Sequence, residues 1–304
     1  MGGVAIEIRG LRKSYGSIEA VRGIDLSVPE GEVFALLGPN GAGKTTTVEI
    51  LEGYRRRDAG EVRVLGFDPA RGERALKEQL GIVLQSSGID PYLTVSEVID
   101  LYRRAYPQPR DVDDVMEIVG LSEQEDTAVR KLSGGQLRRL DMALALVGDP
   151  RLLFLDEPTT GFDPSARRHA WDVVKNLTAL GKTIFLTTHY MEEAQFLAKR
   201  VAIIVDGNIV ADAAPSELVG RHAPATTIRF RPAPGAPPLP DQLARDATVL
   251  GDSVELRTEN ATRALHELTG WALQQGGELD ALEVKRMSLE DVYLDITRRS
   301  TSTT

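Results

Sequence analysis

Hydrophobic and polar positions near the start of the chain predict a series of strands that leads into one helix. VAIEIRG and AVRGIDLSV have the apolar content of strands, and GEVFALLG, from Gly31 to Gly38, has that of a buried strand ending at a glycine turn. The segment KTTTVEILEG, which begins at Lys44, has a helical pattern. Strand, glycine loop and helix together predict one α/β unit.

The middle of the chain changes from strand-like to helical and then back again. From Gly81 to about Val129 the pattern is helical and polar, and LTVSEVIDLYRRA and DVDDVMEIVGL are amphipathic. We therefore expect an inserted helical subdomain at about residues 86–150. Apolar strands return as RLLFLDE, KTIFLTT and RVAIIVDGNIV, the last with Asp206-Gly207 as a hairpin turn. Their continuous apolar character is typical of strands covered on both faces.

The composition shifts after Val219, which predicts a first domain over 1–219 and a C-terminal accessory domain over 220–304. RFRPAPGAPPLP, from Arg229 to Pro240, is too rich in proline for an ordered element and is predicted to be a turn or linker. DSVELRT, ATRALHELTGWALQQ and LDALEVKR predict strand, helix and strand, and SLEDVYLDIT predicts a final helix. This is a small α+β appendage, with a disordered tail from Arg298.

Composition limits the classes of function. The 304 residues include 36 Lys+Arg and 45 Asp+Glu, a net charge of −9 that argues against a general nucleic-acid binder. There is no cysteine, and therefore no disulfide framework, thiolate metal site or cysteine nucleophile. No signal-peptide pattern and no run of about 20 apolar residues is present, so we expect a soluble chain in the cytosol.

The glycine loop GPNGAGKT satisfies the pattern G-x-x-x-x-G-K-[ST] with Gly38, Gly43, Lys44 and Thr45. Glycines let successive backbone N–H groups converge on phosphate oxygens, and the following helix adds its positive end. In this arrangement Lys44 bridges the β- and γ-phosphates and the Thr45 hydroxyl ligates Mg²⁺. A chance glycine turn is the alternative, but the position between a strand and a helix favours the phosphate loop.

An acidic pair follows the apolar strand RLLFLDE. Asp156 and Glu157 lie at the carboxyl end of this strand, where ligands of parallel α/β sheets bind. Asp156 is expected to hold Mg²⁺, and Glu157 is placed to orient or deprotonate an attacking water. Two adjacent carboxylates alone are more often solvated surface. A buried strand and a phosphate loop in the same chain make them candidates for phosphoryl transfer.

A second anion-binding turn, LSGGQ, precedes the helical segment LRRLDMALALVGD and places Ser133 at a helix N-terminus. From the pentapeptide alone, a simple helix cap by Ser133 is the favoured alternative. A helix end in a separate subdomain does not easily reach the nucleotide of its own phosphate loop. We therefore expect two chains head to tail, each completing the other's ATP site, which also explains why this turn needs no lysine.

These motifs resemble those of the ATP-binding subunits of ATP-binding cassette (ABC) transporters, over about residues 4 to 219. GPNGAGKTT resembles the Walker A motif, LSGGQ the signature, LLFLDEP the Walker B motif, and TTH the switch-histidine segment. The resemblance implies a P-loop NTPase fold with a mixed sheet and an inserted helical subdomain. It also implies that nucleotide is bound by Tyr15, Gly38, Pro39, Asn40, Gly41, Ala42, Gly43, Lys44, Thr45, Thr46, Ser133, Gly134, Gly135, Gln136 and Asp163.

The same resemblance implies particular roles. The catalytic residues are Lys44, Gln85, Glu157 and His189, and the Mg²⁺ ligands are Thr45, Gln85 and Asp156. Tyr15 stacks on adenine, Gln85 senses Mg²⁺ and a permease, and Asp163 lies across the dimer seam. Without the family resemblance, each of these residues has an equally good structural interpretation. Tyr15 is then an aromatic residue at a strand end, Gln85 a polar surface residue and His189 a histidine that caps a helix. Phe162 departs from the leucine usual in the family, which puts details of the seam in doubt.

Within the family, QSSGIDPYLTVSEV and the terminal SLEDVYLDIT resemble the ABC-2, or daunorubicin-resistance, type of exporter ATPase. This implies a homodimeric ATPase that drives efflux of a drug, antibiotic, lipid or polysaccharide through a separate membrane permease. Such a chain is cytoplasmic and lies on the inner face of the cell membrane only through that partner, without nucleic acid. The helical insert would present a groove to a helix of the permease. Its acidic amphipathic pattern is equally compatible with a helix face that is simply solvated.

Two other classes remain as alternatives. A soluble ABC ATPase acting on DNA or ribosomes is disfavoured by the net charge of −9 and by the lack of a coiled-coil insertion or second cassette. A module that senses nucleotide without turnover is disfavoured by the presence of Lys44, Glu157 and His189.

Overall fold

The structure, a computed structural model, describes residues 3–83, 88–221, 226–233, 235–275, 277–286 and 288–301. The chain divides into two compact units, Met1–Pro215 and Ser216–Thr304. This division falls slightly before the boundary expected after Val219.

The first unit begins with an antiparallel sheet of three strands. These are β1 (Val4–Tyr15), β2 (Ile18–Pro29) and β4 (Ala59–Val64), in the order β2-β1-β4. One face of β1 is apolar, and Ile6, Ile8 and Leu11 on it are buried in the core. The two strands predicted from the N-terminal pattern are confirmed, and β4 is an additional strand.

A six-stranded sheet forms the centre of the first unit, in the order β5-β6-β7-β3-β8-β9. Its strands are β3 (Val33–Leu37), β5 (Leu80–Val83), β6 (Leu152–Asp156), β7 (Thr183–Thr188), β8 (Arg200–Val205) and β9 (Asn208–Ala213). All neighbours are parallel except β8 and β9. The hairpin between these two turns at Asp206 and Gly207, both with positive φ, as predicted.

One element of this sheet corrects a prediction. The helical pattern was expected to begin at Gly81, but Leu80–Val83 is a strand that pairs with β6. It is four residues long and mostly buried, so its side chains show no alternation that would distinguish it from a helix.

Helices cover the sheet and form the insert. They are α1 (Lys44–Leu51), α2 (Arg74–Lys77), α3 (Val95–Arg103), α4 (Val112–Val119), α5 (Gly134–Leu146), α6 (Pro164–Ala179) and α7 (Met191–Leu197), whereas α8 (Pro215–Arg221) begins at the boundary between the two units. Helices α3, α4 and α5 contact one another, and α5 contacts β5. The first turn of α3 is fixed by a capping box between Thr94 and Glu97, and α4 is capped by Asp111 at its N-terminus and by Gly120 at its C-terminus. These caps and the amphipathic pattern explain why the insert is helical.

The second unit has an antiparallel sheet in the order β11-β12-β10-β13. Its elements are β10 (Thr226–Arg231), α9 (Asp241–Ala244), β11 (Ala247–Leu250), β12 (Ser253–Thr258), α10 (Ala261–Gln274), β13 (Asp280–Arg286) and α11 (Leu289–Thr301). Ile228, Phe230, Leu256 and Leu268 lie in its core.

Two predictions for this unit are wrong in part. The proline-rich linker was expected to begin at Arg229, but Arg229 to Arg231 continue β10, because Ile228 and Phe230 alternate into the core. The tail was expected to be disordered from Arg298, but α11 continues to Thr301. Its first turn is fixed by hydrogen bonds between Ser288 and Asp291, and a helix extends readily once begun.

In the part of the chain that the structure describes, no helix has both the length and the apolar composition needed to cross a bilayer.

Candidate active site

Three adjacent strands of the central sheet end at one site. The order β6-β7-β3 places the residues after β6, after β7 and after β3 side by side. Asp156 and Glu157 come at the end of β6, His189 follows β7, and the loop from Gly38 follows β3. Because carboxyl ends of parallel strands meet at one edge, segments far apart in sequence converge here.

The glycine loop after β3 depends on the absence of side chains. A Cβ atom on Gly38 would lie 2.4 Å from the carbonyl oxygen of Ile204, and one on Gly43 would lie 2.4 Å from that of Ala20. Gly43 has φ +104°, a conformation that favours glycine. The backbone is therefore packed closely against its neighbours at the start of α1, where a helix N-terminus favours an anion.

Lys44 is the first residue of α1, and its side chain folds back over the glycine loop. It is 7% exposed, and its Nζ donates hydrogen bonds to the carbonyl oxygens of Gly38 at 2.6 Å and Pro39 at 3.1 Å. Burial lowers the pKa of Lys44, and the negative charges of Glu157 and Asp156 act in the opposite direction. A cation is thus held beside two carboxylates at the mouth of a phosphate loop.

The acidic pair is anchored to strand β7. The Thr187 hydroxyl donates to Oδ1 of Asp156, and the Glu157 N–H lies 3.0 Å from the carbonyl oxygen of Thr187 and 3.2 Å from its hydroxyl. Glu157 has φ +45°, a left-handed conformation that costs a residue other than glycine about 1–3 kcal/mol. The hydrogen bonds from the Glu157 N–H to Thr187 of the neighbouring strand β7 help to maintain this conformation.

The carboxylate of Glu157 contacts the imidazole of His189. Its Oε1 lies 3.3 Å from Nδ1 of His189, and its Oε2 accepts a hydrogen bond from the Thr160 hydroxyl at 3.1 Å. The Glu157 side chain is 18% exposed and that of His189 is 42% exposed. Both groups therefore remain accessible to a substrate while they constrain each other.

A buried glutamate supports the segment that carries His189. Oε1 of Glu193 accepts hydrogen bonds from the Thr159 hydroxyl at 2.9 Å and from Trp171 Nε1 at 3.1 Å. Burial raises the pKa of Glu193, while these donors act to lower it. Glu193 thus connects the chain after β6 to the chain after β7. The sequence does not reveal this role, because the acidic residues of MEEA resemble an ordinary helix start.

Arg138 is a second residue that sequence analysis missed. It is buried on α5, and its guanidinium donates to the carbonyl oxygens of Asp156 at 2.9 Å and Pro158 at 3.3 Å. A buried arginine is uncommon without a polar partner, but LRRLD does not show which of its two arginines is buried.

Tyr15 lies beside the first turn of α1. Its hydroxyl is 3.5 Å from the Thr46 hydroxyl, and the residue is 40% exposed. The Arg55 guanidinium lies 5.1 Å from the centre of the ring. An exposed aromatic ring therefore lies next to the phosphate loop. This position fits both interpretations of Tyr15, the adenine platform and the aromatic residue at a strand end.

The Ser133 turn has the geometry of a capped helix end. Ser133 Oγ accepts from the Gln136 N–H at 3.3 Å, and Gln136 Oε1 accepts from the Ser133 N–H at 2.8 Å. Gly134 is exposed, and a Cβ on it would meet open space. Asp163 similarly caps α6, since its Oδ1 accepts from the N–H groups of Ser165 and Ala166. Both residues thus have a local structural role, and their surfaces are open to solvent.

The expected Mg²⁺ ligands can be tested only in part, because Gln85 lies outside the described residues. The Thr45 side chain is exposed next to Lys44, and Asp156 presents a carboxylate nearby. A hydroxyl and a carboxylate fit Mg²⁺, which usually takes few protein ligands and completes its shell with waters and substrate phosphates. Among the described residues, no group of three or more histidine, aspartate or glutamate side chains is arranged to hold a metal ion.

Comparisons with known proteins identify the family of the chain. The ABC transporter family matches residues 21–160, and a family described as ABC transporter domain-containing protein-like, C-terminal domain, matches 226–288. The Nod factor export ATP-binding protein I of Paraburkholderia xenovorans (strain LB400) is 39% identical, over 97% of each chain. The daunorubicin resistance ATP-binding protein DrrA2 of Streptomyces coeruleorubidus is 36% identical, over 100% of this chain and 98% of its own.

Solved structures agree on the fold. The cbiO1 protein of Clostridium perfringens, part of the ABC transporter complex cbiONQ, superposes with a TM-score of 0.65 at 26% identity, covering 72% of this chain and 92% of its own. A nucleotide-free ATP-binding cassette from an ABC transporter gives a TM-score of 0.64 at 22% identity, covering 72% and 94%, and shows the fold alone.

The chain therefore belongs to the ATP-binding proteins of ABC transporters. It is a nucleotide-binding ATPase with the P-loop fold of that family, and the predictions of family, fold class and ATPase activity are confirmed.

Proposed function

We propose that this ATPase is the motor subunit of an exporter, in which two copies of the chain close around two ATP molecules and drive a separate membrane permease. The relatives named for Nod factor export and for daunorubicin resistance match nearly the whole chain, which supports export over other uses of the family. The transported substrate is then a drug, antibiotic, lipid or polysaccharide. Residues 1–219 are the proposed ATPase domain and 220–304 the accessory domain.

The observation that carries the proposal is the contact between Glu157 and His189 beside Lys44. In the proposed reaction, Lys44 and the amides of the glycine loop hold the β- and γ-phosphates. Glu157 accepts a proton as water attacks the γ-phosphorus and the bond to the β-phosphate oxygen breaks, giving ADP and phosphate. His189 orients the Glu157 carboxylate and reaches toward the γ-phosphate from its exposed side.

Mg²⁺ is the expected cofactor, held by Thr45, Asp156 and Gln85. It would neutralise charge on the phosphates when bound. The Thr187 hydroxyl donates to Oδ1 of Asp156 and so restricts the orientation of this carboxylate. Tyr15 is the proposed adenine platform.

The dimer is proposed because a helix end in the inserted subdomain does not easily reach the nucleotide of its own phosphate loop, whereas it can complete the ATP site of a second chain. The exposed turn from Ser133 to Gln136 is a helix N-terminus of α5, which has the charge and free space to bind a phosphate of the partner's nucleotide. Near the start of α6, Asp163 is exposed and Phe162 is half-buried. In the proposed head-to-tail dimer, both would lie at the seam between the two chains.

The permease partner can be tested by co-purification from detergent-solubilised native membranes. A tagged Glu157→Gln chain with Mg-ATP should recover a polytopic membrane protein at one-to-one stoichiometry. Lys44→Ala, which should not bind ATP, is the matched control and should recover less of it. Recovery of ribosomes, DNA or only proteins without membrane spans would contradict the proposed place at the inner face of the membrane and support a cytosolic ABC ATPase.

A further inference from the structure

The guanidinium of Arg138 lies behind the catalytic segment and contacts the backbone on both sides of Glu157. Arg138 is in the second turn of α5 and is 8% exposed. Its Nη2 donates to the carbonyl oxygen of Asp156 at 2.9 Å, and its Nε donates to that of Pro158 at 3.3 Å. One planar side chain therefore fixes the carbonyl groups of the residues before and after Glu157.

Glu157 needs such support because of its backbone conformation. Its φ of +45° is one that a residue with a side chain keeps only where the surroundings enforce it. Thr187 of β7 holds the Glu157 N–H, and Arg138 of α5 holds the two flanking carbonyls. The position of the Glu157 carboxylate thus depends on a strand on one side and on a helix on the other.

The chemistry of arginine suits this task. A guanidinium presents several N–H donors in a rigid plane, whereas a lysine ammonium is a point charge on a flexible stem. The Asp141 carboxylate, 3.7 Å from Nη1 and on the same helix, compensates the buried charge. Arg138 is thereby held in place by its own helix while it reaches the neighbouring strand end.

The same helix begins with the exposed turn of Ser133 to Gln136, one turn before Arg138. The two segments belong to one continuous helix, whose backbone is hydrogen-bonded from turn to turn. The structure therefore contains a short physical connection from the surface proposed to meet the partner's nucleotide to the carboxylate of the chain's own site.

We propose that Arg138 is a positioning residue for hydrolysis, which holds the Glu157 carboxylate in place and couples it to the first turn of α5. This inference rests on the proposed function, because it takes Glu157 as the group that accepts the proton of water. Engagement of one chain's Ser133 turn by its partner's nucleotide then sets the geometry of Glu157 in that first chain.

A double-mutant cycle on the full chain tests this proposal. ATP hydrolysis is followed with γ-labelled ATP for wild type, Arg138→Met, Glu157→Gln and the double variant. Arg138→Met should lower kcat by about 10- to 100-fold, the effect of a small misplacement of a reacting group, with KM changed by less than about threefold. In the Glu157→Gln background the same substitution should slow the residual rate by less than about threefold, because the group that it positions is already lost.

Two further variants separate positioning from folding. Arg139→Met removes a neighbouring arginine of α5 that donates to the carbonyl of Gly120 at 2.8 Å, and it should leave kcat within about threefold of wild type. Arg138→Lys keeps the charge and should recover part of the rate. If Arg138→Met does not fold, Arg138→Lys replaces it in the double-mutant cycle. The loss of kcat should then be smaller and should again disappear in the Glu157→Gln background.

Each outcome has a distinct meaning. If the losses from Arg138→Met and Glu157→Gln multiply in the double variant, Arg138 does not act through Glu157 and the inference is overturned. A wild-type kcat in Arg138→Met overturns it as well. If Glu157→Gln alone hydrolyses ATP at the wild-type rate, the proposed function fails first, independently of the result for Arg138.

Discussion

His189 and Glu157 follow different strands, and yet Nδ1 of His189 lies 3.3 Å from Oε1 of Glu157. The contact exists because β6 and β7 are parallel neighbours, so that the residues after them emerge at the same edge of the sheet. Two accessible groups from different strands are thereby in contact, and one of them, Glu157, interacts electrostatically with the buried ammonium of Lys44.

Glu157→Gln should bind ATP and hydrolyse it at least about 100-fold more slowly than wild type, the low end for loss of a positioned general base. The amide has nearly the same shape as the carboxylate and cannot take a proton from water. Steady-state phosphate release and a nucleotide-binding titration check the two parts. Unchanged turnover would remove Glu157 from the catalytic role.

His189→Ala should lower kcat by about 100-fold while the affinity for ATP changes little, since this side chain contacts the carboxylate of Glu157, the proposed proton acceptor. His169→Ala, an exposed histidine on α6, is the control and should have wild-type kinetics. Equal effects of the two substitutions would show that the contact with Glu157 has no catalytic importance.

Lys44→Ala should abolish nucleotide binding or turnover, because it removes the cation that lies over the glycine loop. Lys199→Ala removes an exposed lysine, paired with Glu32 on the surface, and should retain activity. ATPase activity of Lys44→Ala within a few-fold of wild type would contradict the assignment of the phosphate loop.

Ser133→Arg should prevent dimer closure, because the arginine side chain is larger than serine, carries a positive charge and fills the exposed helix end. It should leave ATP binding by the isolated chain intact, because it does not touch the glycine loop of its own chain. Ser122→Arg places the same charge on another exposed site of the insert and should still dimerise with ATP. Light scattering with ATP distinguishes the two, and a persistent ATP-dependent dimer of Ser133→Arg refutes the proposed seam.

Asp68→Asn should destabilise the protein by about 1–2 kcal/mol at pH 7. Two hydrogen bonds from Arg57 lower the pKa of Asp68 to about 2, and both side chains are about one-fifth exposed. A carboxyl group with a lowered pKa contributes its full stability at pH values above its ordinary pKa of 3.8. This contribution is lost as the pH falls through the lowered pKa of about 2. The difference between wild type and variant should therefore shrink below about pH 4.

Urea unfolding between pH 7 and pH 3 measures this difference. Glu78→Gln is the control, because its partner Arg74 is 81% exposed and such surface pairs contribute about 0–1 kcal/mol. A pH-independent effect of Asp68→Asn would show that the ion pair is not its cause.

The fold was predictable where the pattern of the chain is local. The phosphate loop, the buried strands β6 and β7 and the hairpin at Asp206-Gly207 all follow from short segments. The strand β5 was not predictable, because four mostly buried residues show no periodicity. The end of β10 was not predictable, because the prolines that follow it made the whole segment resemble a linker.

The candidate site shows the same limit. Lys44, Asp156, Glu157 and His189 were predicted as site residues because each lies at or after the end of a strand within a recognisable motif. Arg138, Thr187 and Glu193 were not, since their roles arise from hydrogen bonds between segments that only the folded chain brings together. Motifs show which groups react, whereas the tertiary structure shows which groups hold them.

The most direct test of the account is the mass of the Glu157→Gln chain in solution with and without Mg-ATP, measured by size-exclusion chromatography with light scattering. Two chains closed around two nucleotides predict a change from monomer to dimer on addition of ATP, with one ATP retained per chain. A chain that binds ATP tightly and remains a monomer at all concentrations would contradict the shared active site.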